Sequence, residues 1–388
     1  MHIAHLELTN FRTFRSLKLD LQPGLHVVTA ANASGKTNLL EAIAMIATTR
    51  SPRRAADIDL VSWDAIADDP LPAARLSAHV EAADEATDLD VVVLTKPGRG
   101  DAGLTASRRF RVNGVARRAS DLIGRLRVVM FSATDLTIIS GAPQLRRRFI
   151  DLTISQFEPT YVRALQRYTR VLQQRNSLLR RLQERRGGEQ SELDFWDDEA
   201  ATAGAVVLDA RARALAELGR TAAERYAELS PASERLEICH RPALPGDLDA
   251  TPSEHSFAQR FREALREGHD IDIRDGVTRV GPHRDDIAFL IGGHDAGAFS
   301  SRGEQRSAAL ALRLAEVALS TKRTGDPPLL LLDDILSELD RERRERVLAV
   351  AYGVDQVLVT SPDEDRPSRA ELPDARRYRI VDGDVIDP

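Results

Sequence analysis

The sequence LHVVTAANASGKTNLLE, residues 25–41, decides the fold of this chain. Residues 25–30 are a β-rich run, a turn of small residues follows, and residues 36–48 have a helical pattern. A strand that leads through such a turn into a helix is the context that a phosphate-binding loop requires. The stretch therefore predicts an α/β fold that binds a nucleotide at the start of this helix.

The loop is predicted to hold ATP and Mg²⁺ through distinct groups. Backbone N–H groups in the turn and at the helix N-terminus would point at the phosphates. Lys36 would hold the β- and γ-phosphates, and the hydroxyl of Thr37 would ligate magnesium. The alternative is a plain helix entry capped by Ser34 or a neighbour. The predicted nucleotide-binding residues of this segment are Ala30, Ala31, Asn32, Ala33, Ser34, Gly35, Lys36, Thr37 and Asn38.

Ala30 departs from the usual loop pattern, which starts with glycine. Alanine costs about 1–2 kcal/mol where the left-handed conformation is needed. The sequence therefore allows a weaker nucleotide affinity or a slightly different loop shape.

A second motif is Leu329–Leu332 followed by Asp333 and Asp334. Four leucines predict a fully buried parallel strand, and the carboxyl ends of such strands are where α/β sheets bind ligands. Asp333 would position magnesium, and Asp334 would orient or deprotonate the attacking water. Many ATPases of this type have glutamate at the second position, so the shorter aspartate indicates slow turnover. Buried strands also end in aspartate without any such role, but the pairing with the upstream loop favours catalysis.

Two further motifs open helices near this strand. Ser301-Arg302-Gly303-Glu304-Gln305-Arg306 has the spacing of a capping box, and it also fits an ABC-type signature. In the second interpretation Ser301, Gly303 and Glu304 lie at a helix N-terminus that contacts the γ-phosphate held by the opposite subunit. Asp340, in Ser337-Glu338-Leu339-Asp340, is either a helix cap or part of the same dimer interface beside the catalytic carboxylate.

Length, charge and cysteine content limit the function classes. A chain of 388 residues predicts two lobes rather than one core. The single cysteine, Cys239, indicates a reducing compartment, and no secretory signal or membrane span is apparent, so we expect a cytoplasmic protein without membrane contact. The net charge of −6 means that any DNA binding depends on local basic patches.

The middle of the chain is predicted to be helical. Residues 158–186 and about 193–229 have apolar side chains at helical spacing, and Gly187-Gly188 lies between them. Two helices joined by a short turn predict an antiparallel hairpin, with its seam interrupted at Arg175. The hairpin is either an arm that contacts DNA or a partner, or a plain packing subdomain. We expect an ATPase head formed by 1–142 and 276–388, with the helical lobe at 143–275 inserted.

Other segments have clear local patterns. Strands are predicted at 3–8, 16–21, 75–80, 88–95, 109–113, 126–131, 286–291 and 355–360, helices at 256–267, 303–320 and 338–351, and a loop over 241–256.

The four motifs, in this order, resemble the ATPase heads of SMC and ABC proteins, which are P-loop NTPases. Further stretches resemble the RecF family in particular, and the runs at 140–151 and 280–286 are the most specific of them. The resembling stretches are LTNFRTFRSLKLDL (8–21), SGKTNLLEAI (34–43), SGAPQLRRRFID (140–151), YVRALQRYTRVLQQRNSLL (161–179), VGPHRDD (280–286), SRGEQRSAALALRLAE (301–316) and LLLLDDILSELD (329–340).

The resemblance implies a function. Proteins of the RecF family bind DNA when ATP-bound, dimerise with two nucleotides between the heads, and are weak DNA-dependent ATPases. They help RecO and RecR load RecA at gaps during recombinational repair and the SOS response. By motif match, Arg12 is expected to reach the nucleotide, although it could be a surface arginine. Thr360-Ser361 stands where many ABC ATPases have a histidine, which heads of this family generally lack.

Two other functions remain open at this stage. The altered loop could bind nucleotide poorly, which would make the chain a scaffold or paralogue that serves as a partner adaptor. Alternatively, the head could assist a nuclease. That nuclease would be a separate protein, because no appended domain rich in acidic catalytic motifs is apparent in the sequence.

Overall fold

The computed structural model describes residues 1–31, 34–53, 55–83, 85–98, 103–185, 191–230, 234–246, 253–362, 371–381 and 384–386. The chain forms two compact units, one of Met1–Asp135 with Arg313–Pro388 and one of Leu136–Leu312. Among the described residues no helix combines the length and apolar character needed to cross a bilayer.

Runs of consecutive strands and runs of consecutive helices occur along the described chain. The strands are β1 (His2–Phe11), β2 (Phe14–Asp20), β3 (Gly24–Ala30), β4 (Ala73–Glu81), β5 (Ala86–Pro97), β6 (Leu104–Val112), β7 (Val115–Arg117), β8 (Val128–Ser132), β9 (Leu236–Arg241), β10 (Asp286–Ile291), β11 (His294–Asp295), β12 (Leu329–Asp333), β13 (Gln356–Pro362), β14 (Arg376–Val381) and β15 (Asp384–Ile386). The α-helices are α1 (Lys36–Thr48), α2 (Trp63–Asp68), α3 (Ala119–Leu122), α4 (Leu136–Ser140), α5 (Pro143–Ser155), α6 (Pro159–Arg185), α7 (Ser191–Leu229), α8 (Glu254–Glu267), α9 (His269–Asp275), α10 (Ala296–Phe299), α11 (Arg302–Thr324), α12 (Ile335–Glu338) and α13 (Arg341–Ala351), and 3-10 turns lie at Asp57–Leu60 and Ala133–Asp135.

The first unit contains a mostly parallel sheet in the order β15-β14-β3-β13-β12-β8. All neighbours from β14 to β8 are parallel, and only β15 pairs antiparallel with β14. The carboxyl ends of β3, β13, β12 and β8 therefore lie at one edge of the sheet. The loop after Ala30 and the pair Asp333-Asp334 both follow strands that end at this edge.

A second, antiparallel sheet in the order β2-β1-β4-β5-β6-β7 completes the same unit. Its strands alternate buried and exposed residues, and Leu8, Leu76 and Val91 are register partners on the buried face. Helix α1 contacts strands of both sheets, and nearly all of its residues are buried. The two sheets and α1 share one hydrophobic core, which fixes the start of α1 at the strand ends.

The second unit contains the predicted hairpin of α6 and α7. Their contacts run in opposite chain directions, because Tyr161 contacts Arg211, Tyr168 lies near Gly204, and Arg175 contacts Asp197. The helices are therefore antiparallel. The predicted turn at Gly187-Gly188 lies outside the described residues.

Arg175, where the apolar seam of α6 is interrupted, is fully buried. Its guanidinium donates to Asp197 Oδ1 at 2.7 Å, to Asp272 Oδ2 at 2.7 Å and to Thr278 Oγ1 at 2.8 Å. His269 bonds the other oxygen of Asp197. One buried arginine thus joins α6, α7, α9 and the loop after α9, and a buried charge is tolerated only with such partners.

The two stretches with the most specific family resemblance pack on each other in this unit. Arg146 on α5 forms a bidentate ion pair with Asp286 at 2.8 and 3.0 Å. Arg211 on α7 bonds Asp151 from the first stretch and Asp285 from the second. These ion pairs are largely or partly buried. They explain why both stretches have charged residues next to apolar ones.

The compact units differ from the predicted segments in one respect. Strand β10 lies after residue 275, yet it pairs antiparallel with β9 and packs on α5, so it belongs to the helical unit. The boundaries of the compact units fall at 135/136 and 312/313. The division into 1–142, 143–275 and 276–388 stays a prediction.

His283 predicts a pH dependence of stability. Its Nε2 bonds the carbonyl of Thr278 at 3.0 Å, so Nε2 carries the proton and Nδ1 accepts from the Tyr168 hydroxyl at 2.6 Å. Burial lowers the pKa of His283 to about 4. The unfolded chain therefore binds a proton below pH 6.5 that the folded chain takes up only near pH 4, and the free energy of unfolding falls as pH drops through this window. The loss is on the order of 1–3 kcal/mol.

The expected result can be checked by urea unfolding at pH 7.5 and 5. His283→Gln keeps one donor and one acceptor but does not titrate, so its stability should fall less over this range. His255→Gln, at an exposed position of α8, is the matched control and should behave as the parent chain does. Equal pH dependence in the parent chain and His283→Gln would contradict the prediction.

Candidate functional site

The loop between β3 and α1 is described at Ala31 and from Ser34 onward. Gly35 precedes α1 with φ of 102°, a left-handed conformation that favours glycine. A Cβ at this position would also overlap Thr13 Oγ1 and lie 3.3 Å from the ring of Phe14. Asn32 and Ala33 lie outside the described residues. Glycine at 35 is therefore required by both conformation and space.

Ala30 does not carry the strain that the sequence allowed for. It is the last residue of β3, is fully buried, and is not among the residues with positive φ. The cost of a left-handed alanine does not arise here. Any effect of this alanine on nucleotide affinity would come from its methyl group rather than from its backbone.

Lys36 is folded into the loop. Its side chain is buried, and Nζ donates to the carbonyl oxygens of Ala30 at 2.8 Å and Ala31 at 3.2 Å. The first carbonyl belongs to β3, so the strand holds the ammonium group at the edge of the sheet. A phosphate oxygen could replace these weaker acceptors, because charge-assisted bonds to anions are stronger.

Thr37 and Asp333, one from each motif, are in direct contact. Thr37 Oγ1 donates to Asp333 Oδ1 at 3.0 Å. Thr360 Oγ1 lies 2.9 Å from the same oxygen. Burial raises the pKa of Asp333, and the hydrogen bonds from Thr360 and Thr37 act in the opposite direction. A divalent cation at this point would favour the ionised carboxylate.

Asp334 adopts an unusual conformation. Its φ is 53°, it caps α12, and its backbone N–H bonds Thr360 Oγ1 at 3.0 Å. Side-chain atom Oδ1 is buried and has no hydrogen-bond partner among the described residues. Left-handed aspartates are uncommon and cost free energy, so they often mark functional positions.

Arg12 lies beside the loop and is held by Glu41, which the sequence motifs do not single out. Arg12 donates to both carboxylate oxygens of Glu41 at 2.8 and 3.1 Å, and to the carbonyl of Asp59 at 2.8 Å. Glu41 is fully buried on α1. A glutamate within the apolar run LLEAI was the signal, since a buried carboxylate needs a cation. A nucleotide contact of Arg12 stays a prediction.

Asn38 extends the same network. Its Nδ2 donates to Thr13 Oγ1 at 3.1 Å, and its Oδ1 accepts from Arg53 at 2.9 Å. Arg53 was also missed, because a single arginine in a basic chain carries little information.

The helix α11 begins with the capping box that was one interpretation of its motif. The backbone N–H of Ser301 donates to Glu304 Oε2 at 2.8 Å, and Glu304 N–H donates to Ser301 Oγ at 3.3 Å. Gly303 is exposed, and a Cβ there would meet only Ser301 Oγ at 3.9 Å. Packing within the described chain therefore does not require glycine at 303.

Asp340 caps α13 by accepting from the backbone N–H of Arg343 at 3.0 Å. This hydrogen bond, together with the charge of Arg343, lowers the pKa of Asp340. The cap interpretation is confirmed, and a role in a dimer interface stays a prediction.

Comparison with known proteins identifies the family. The family model for the RecF/RecN/SMC N terminal domain matches residues 2–375. The DNA replication and repair protein RecF of Herpetosiphon aurantiacus is 44% identical over 389 residues, which cover 99% of each chain. The chain belongs to the RecF family. A RecF of Chloroflexus aurantiacus is 42% identical over the full length of both chains.

RecF structures share the fold. The structure of the recombination mediator protein RecF with ATP in the RecFOR pathway matches with a TM-score of 0.87 at 29% identity, over 100% of this chain and 97% of that one. An Smc head domain from Pyrococcus furiosus matches with a TM-score of 0.52 at 18% identity and shows the head fold alone. The fold is thus the ATPase head of RecF and SMC proteins, with an inserted helical hairpin.

The described residues at this edge of the sheet fit magnesium-bound ATP. Thr37 and Asp333 bring two oxygen donors within hydrogen-bond distance of each other, which is the donor set that Mg²⁺ prefers. Lys36 Nζ donates to two carbonyl oxygens of the loop. Asp334 keeps one buried carboxylate oxygen free of partners within the described part of the chain. Two oxygen donors, an ammonium group and a second carboxylate thus occur at one edge of the sheet.

Proposed function

We propose that this chain is an ATP-dependent DNA-binding protein of recombinational repair and the SOS response. The observation that carries the proposal is the hydrogen bond between Thr37 Oγ1 and Asp333 Oδ1, which joins two motifs 296 residues apart. Membership of the RecF family supports the repair function.

The nucleotide would be held and hydrolysed by residues at the edge of the parallel sheet. Lys36 would bind the β- and γ-phosphates, while Thr37 and Asp333 would hold Mg²⁺, which supplies charge neutralisation at the phosphates. Asp334 would orient the attacking water and accept its proton at the free carboxylate oxygen. Its side chain is one methylene shorter than glutamate, so we expect weak, slow hydrolysis that DNA stimulates.

ATP would also join two copies of the chain. The exposed N-terminus of α11 offers backbone N–H groups, the Ser301 hydroxyl and the positive end of the helix macrodipole. Open space at Gly303 would let a phosphate on the opposite subunit approach the backbone closely. Arg12 and Asp340 would complete the nucleotide site in the closed dimer.

DNA would be bound through phosphates rather than bases. Four exposed arginines lie on β6, on β7 or directly after β7, and none of them forms an ion pair with another described residue. They are Arg109, Arg111, Arg117 and Arg118. By contrast Arg146, Arg341 and Arg344 pair with carboxylates, which makes them weaker candidates. Binding to duplex or gapped DNA should be without sequence specificity and steeply salt-dependent.

The partners would be those of the family. Proteins in the RecFOR pathway suggest RecO and RecR as partners of this chain, with RecA loading at gaps as the outcome. A reducing, cytoplasmic location agrees with the single partly buried Cys239.

The proposal is tested by measuring binding to a fluorescent gapped DNA duplex by anisotropy, with and without ATP and Mg²⁺. The mass of the protein in solution is measured in parallel, to detect dimers. ATP should drive both dimerisation and DNA binding. Ser301→Arg places a long side chain and a charge at the α11 N-terminus, and it should weaken ATP-driven dimerisation at least about tenfold. Ser253→Arg removes the similar capping box of α8 and is the matched control for loss of a cap.

The alternatives predict other outcomes. A chain that binds DNA or a partner equally well without ATP would be a scaffold, which would refute the ATP switch. A nuclease that copurifies and depends on the chain would favour a nuclease-assisting head. Equal loss of dimerisation in Ser301→Arg and Ser253→Arg would mean that capping, not phosphate contact, explains the effect.

A further inference from the structure

Thr360 lies on β13, directly across from Asp333 on β12. Its side chain is 1% exposed, so the hydroxyl must find partners inside the sheet. Its oxygen lies 2.9 Å from Asp333 Oδ1 and 3.4 Å from the carbonyl of Leu332. A hydroxyl has one proton, and the shorter contact to a carboxylate is the stronger bond. Thr360 therefore donates to Asp333.

The same hydroxyl also accepts a hydrogen bond. The backbone N–H of Asp334 lies 3.0 Å from Thr360 Oγ1. Asp334 has φ of 53°, which is held only where surrounding contacts fix it. One side chain thus contacts both members of the aspartate pair, through the carboxylate of Asp333 and through the backbone of Asp334.

The bond to Asp333 restricts how its carboxylate can rotate. Thr37 and Thr360 both donate to Oδ1, so this oxygen is held between two hydroxyl groups. Thr37 is the residue that would also ligate the cation, and its geometry would change with the ligand. Thr360 is buried on a strand, and its hydroxyl contacts protein atoms of β12 and of Asp334, so it would not ligate the cation. The hydrogen bond from Thr360 to Asp333 would therefore stay constant while nucleotide binds and leaves.

We propose that Thr360 is a positioning residue, which orients Asp333 for Mg²⁺ and fixes the turn at Asp334. The inference rests on the proposed function and deepens it. Thr360 would not touch the nucleotide. It acts through Asp333, so its loss should affect cation-dependent nucleotide binding and leave the phosphate contacts of Lys36 in place.

The experiment measures the affinity of the full chain for a fluorescent ATP analogue in Mg²⁺ and in EDTA. The parent chain should bind more tightly in Mg²⁺. Thr360→Val keeps the shape but removes the hydroxyl, and it should weaken binding in Mg²⁺ about tenfold while changing binding in EDTA less than about twofold. A structural defect would lower both affinities together.

Two further variants separate the hydroxyl from packing. Thr360→Ser keeps the hydroxyl and loses a methyl group, so it should retain the Mg²⁺ effect, whereas Thr360→Ala should lose it. This comparison holds even if the valine variant folds poorly, and melting temperatures in EDTA are measured for all. Thr29→Val is the matched control, because Thr29 is equally buried on the neighbouring strand β3 and its hydroxyl bonds the carbonyl of Tyr378.

The outcomes are distinguishable. The positioning role is supported if the Mg²⁺ effect is lost in Thr360→Val and Thr360→Ala. The effect must also be retained in Thr360→Ser and Thr29→Val. A parent-like Mg²⁺ effect in Thr360→Val overturns it and leaves the proposed function intact. Absence of ATP binding by the parent chain overturns both.

Discussion

Lys36→Met is expected to reduce ATP affinity by roughly 100- to 1000-fold. The ammonium group would be the partner of the phosphates in the proposed site, and removal of one partner of a close charge pair costs about 3–4 kcal/mol. Methionine preserves the length of the side chain and its burial. DNA binding and dimerisation should lose their response to ATP to the same degree. Isothermal titration calorimetry with ATP and Mg²⁺ measures the change in ATP affinity directly.

A charge-matched control excludes a general effect of losing one lysine. Lys96 is exposed near the end of β5, so Lys96→Met should bind ATP as the parent chain does. The variant at 36 also removes the donor to the carbonyl of Ala30, which should cost about 1 kcal/mol of stability, whereas the carbonyl of Ala31 keeps its bond from the Ser34 hydroxyl at 2.6 Å. A folded Lys36→Met chain that binds ATP normally would show that the loop is not the phosphate site.

Arg175→Ala is expected to lower the free energy of unfolding by about 3–5 kcal/mol. The substitution leaves two buried carboxylates, Asp197 and Asp272, without their cation. Thr278 also loses the donor to its hydroxyl. For a unit of this size the melting temperature should fall by roughly 6–20 °C. Urea unfolding followed by circular dichroism at pH 7.5 gives the free energy.

The control for this variant lies on the same helix. Arg167 on α6 forms a bidentate pair with Glu199 across the hairpin, but its side chain is half exposed. Exposed pairs contribute at most about 1 kcal/mol, so Arg167→Ala should be nearly neutral. If both variants destabilised the protein equally, buried charge would not be the cause.

The sequence located the parts of the site that depend on local pattern. Strand 25–30, helix 36–48 and the buried leucine strand all follow from runs of residues next to each other in the chain. The predicted start and end of α1 agree with the structure. The break in the α6 seam at Arg175 was visible as a polar residue at an apolar position.

The remaining features depend on contacts between distant residues. Thr360 was noted only as a residue in place of histidine, because its bond to Asp333 requires the order of the strands. Strands β14 and β15 are not predicted, since five of the eleven residues 376–386 are arginine or aspartate, and β14 is a strand through its pairing with β3 and β15. β9 was missed for a similar reason, as it is a strand through its pairing with β10.

The order of strands in the parallel sheet has a consequence for synthesis of the chain. Both neighbours of β3 are late segments, β13 and β14, so β3 emerges from the ribosome long before either partner exists. At about 5–20 residues per second, the delay before β13 follows is roughly 16–65 s. The unit Leu136–Leu312 is continuous and can fold during that time. During this delay the edges of the apolar strand β3 are unpaired and can pair with a wrong strand. Production of this protein should therefore depend on chaperones that shield nascent β-strands.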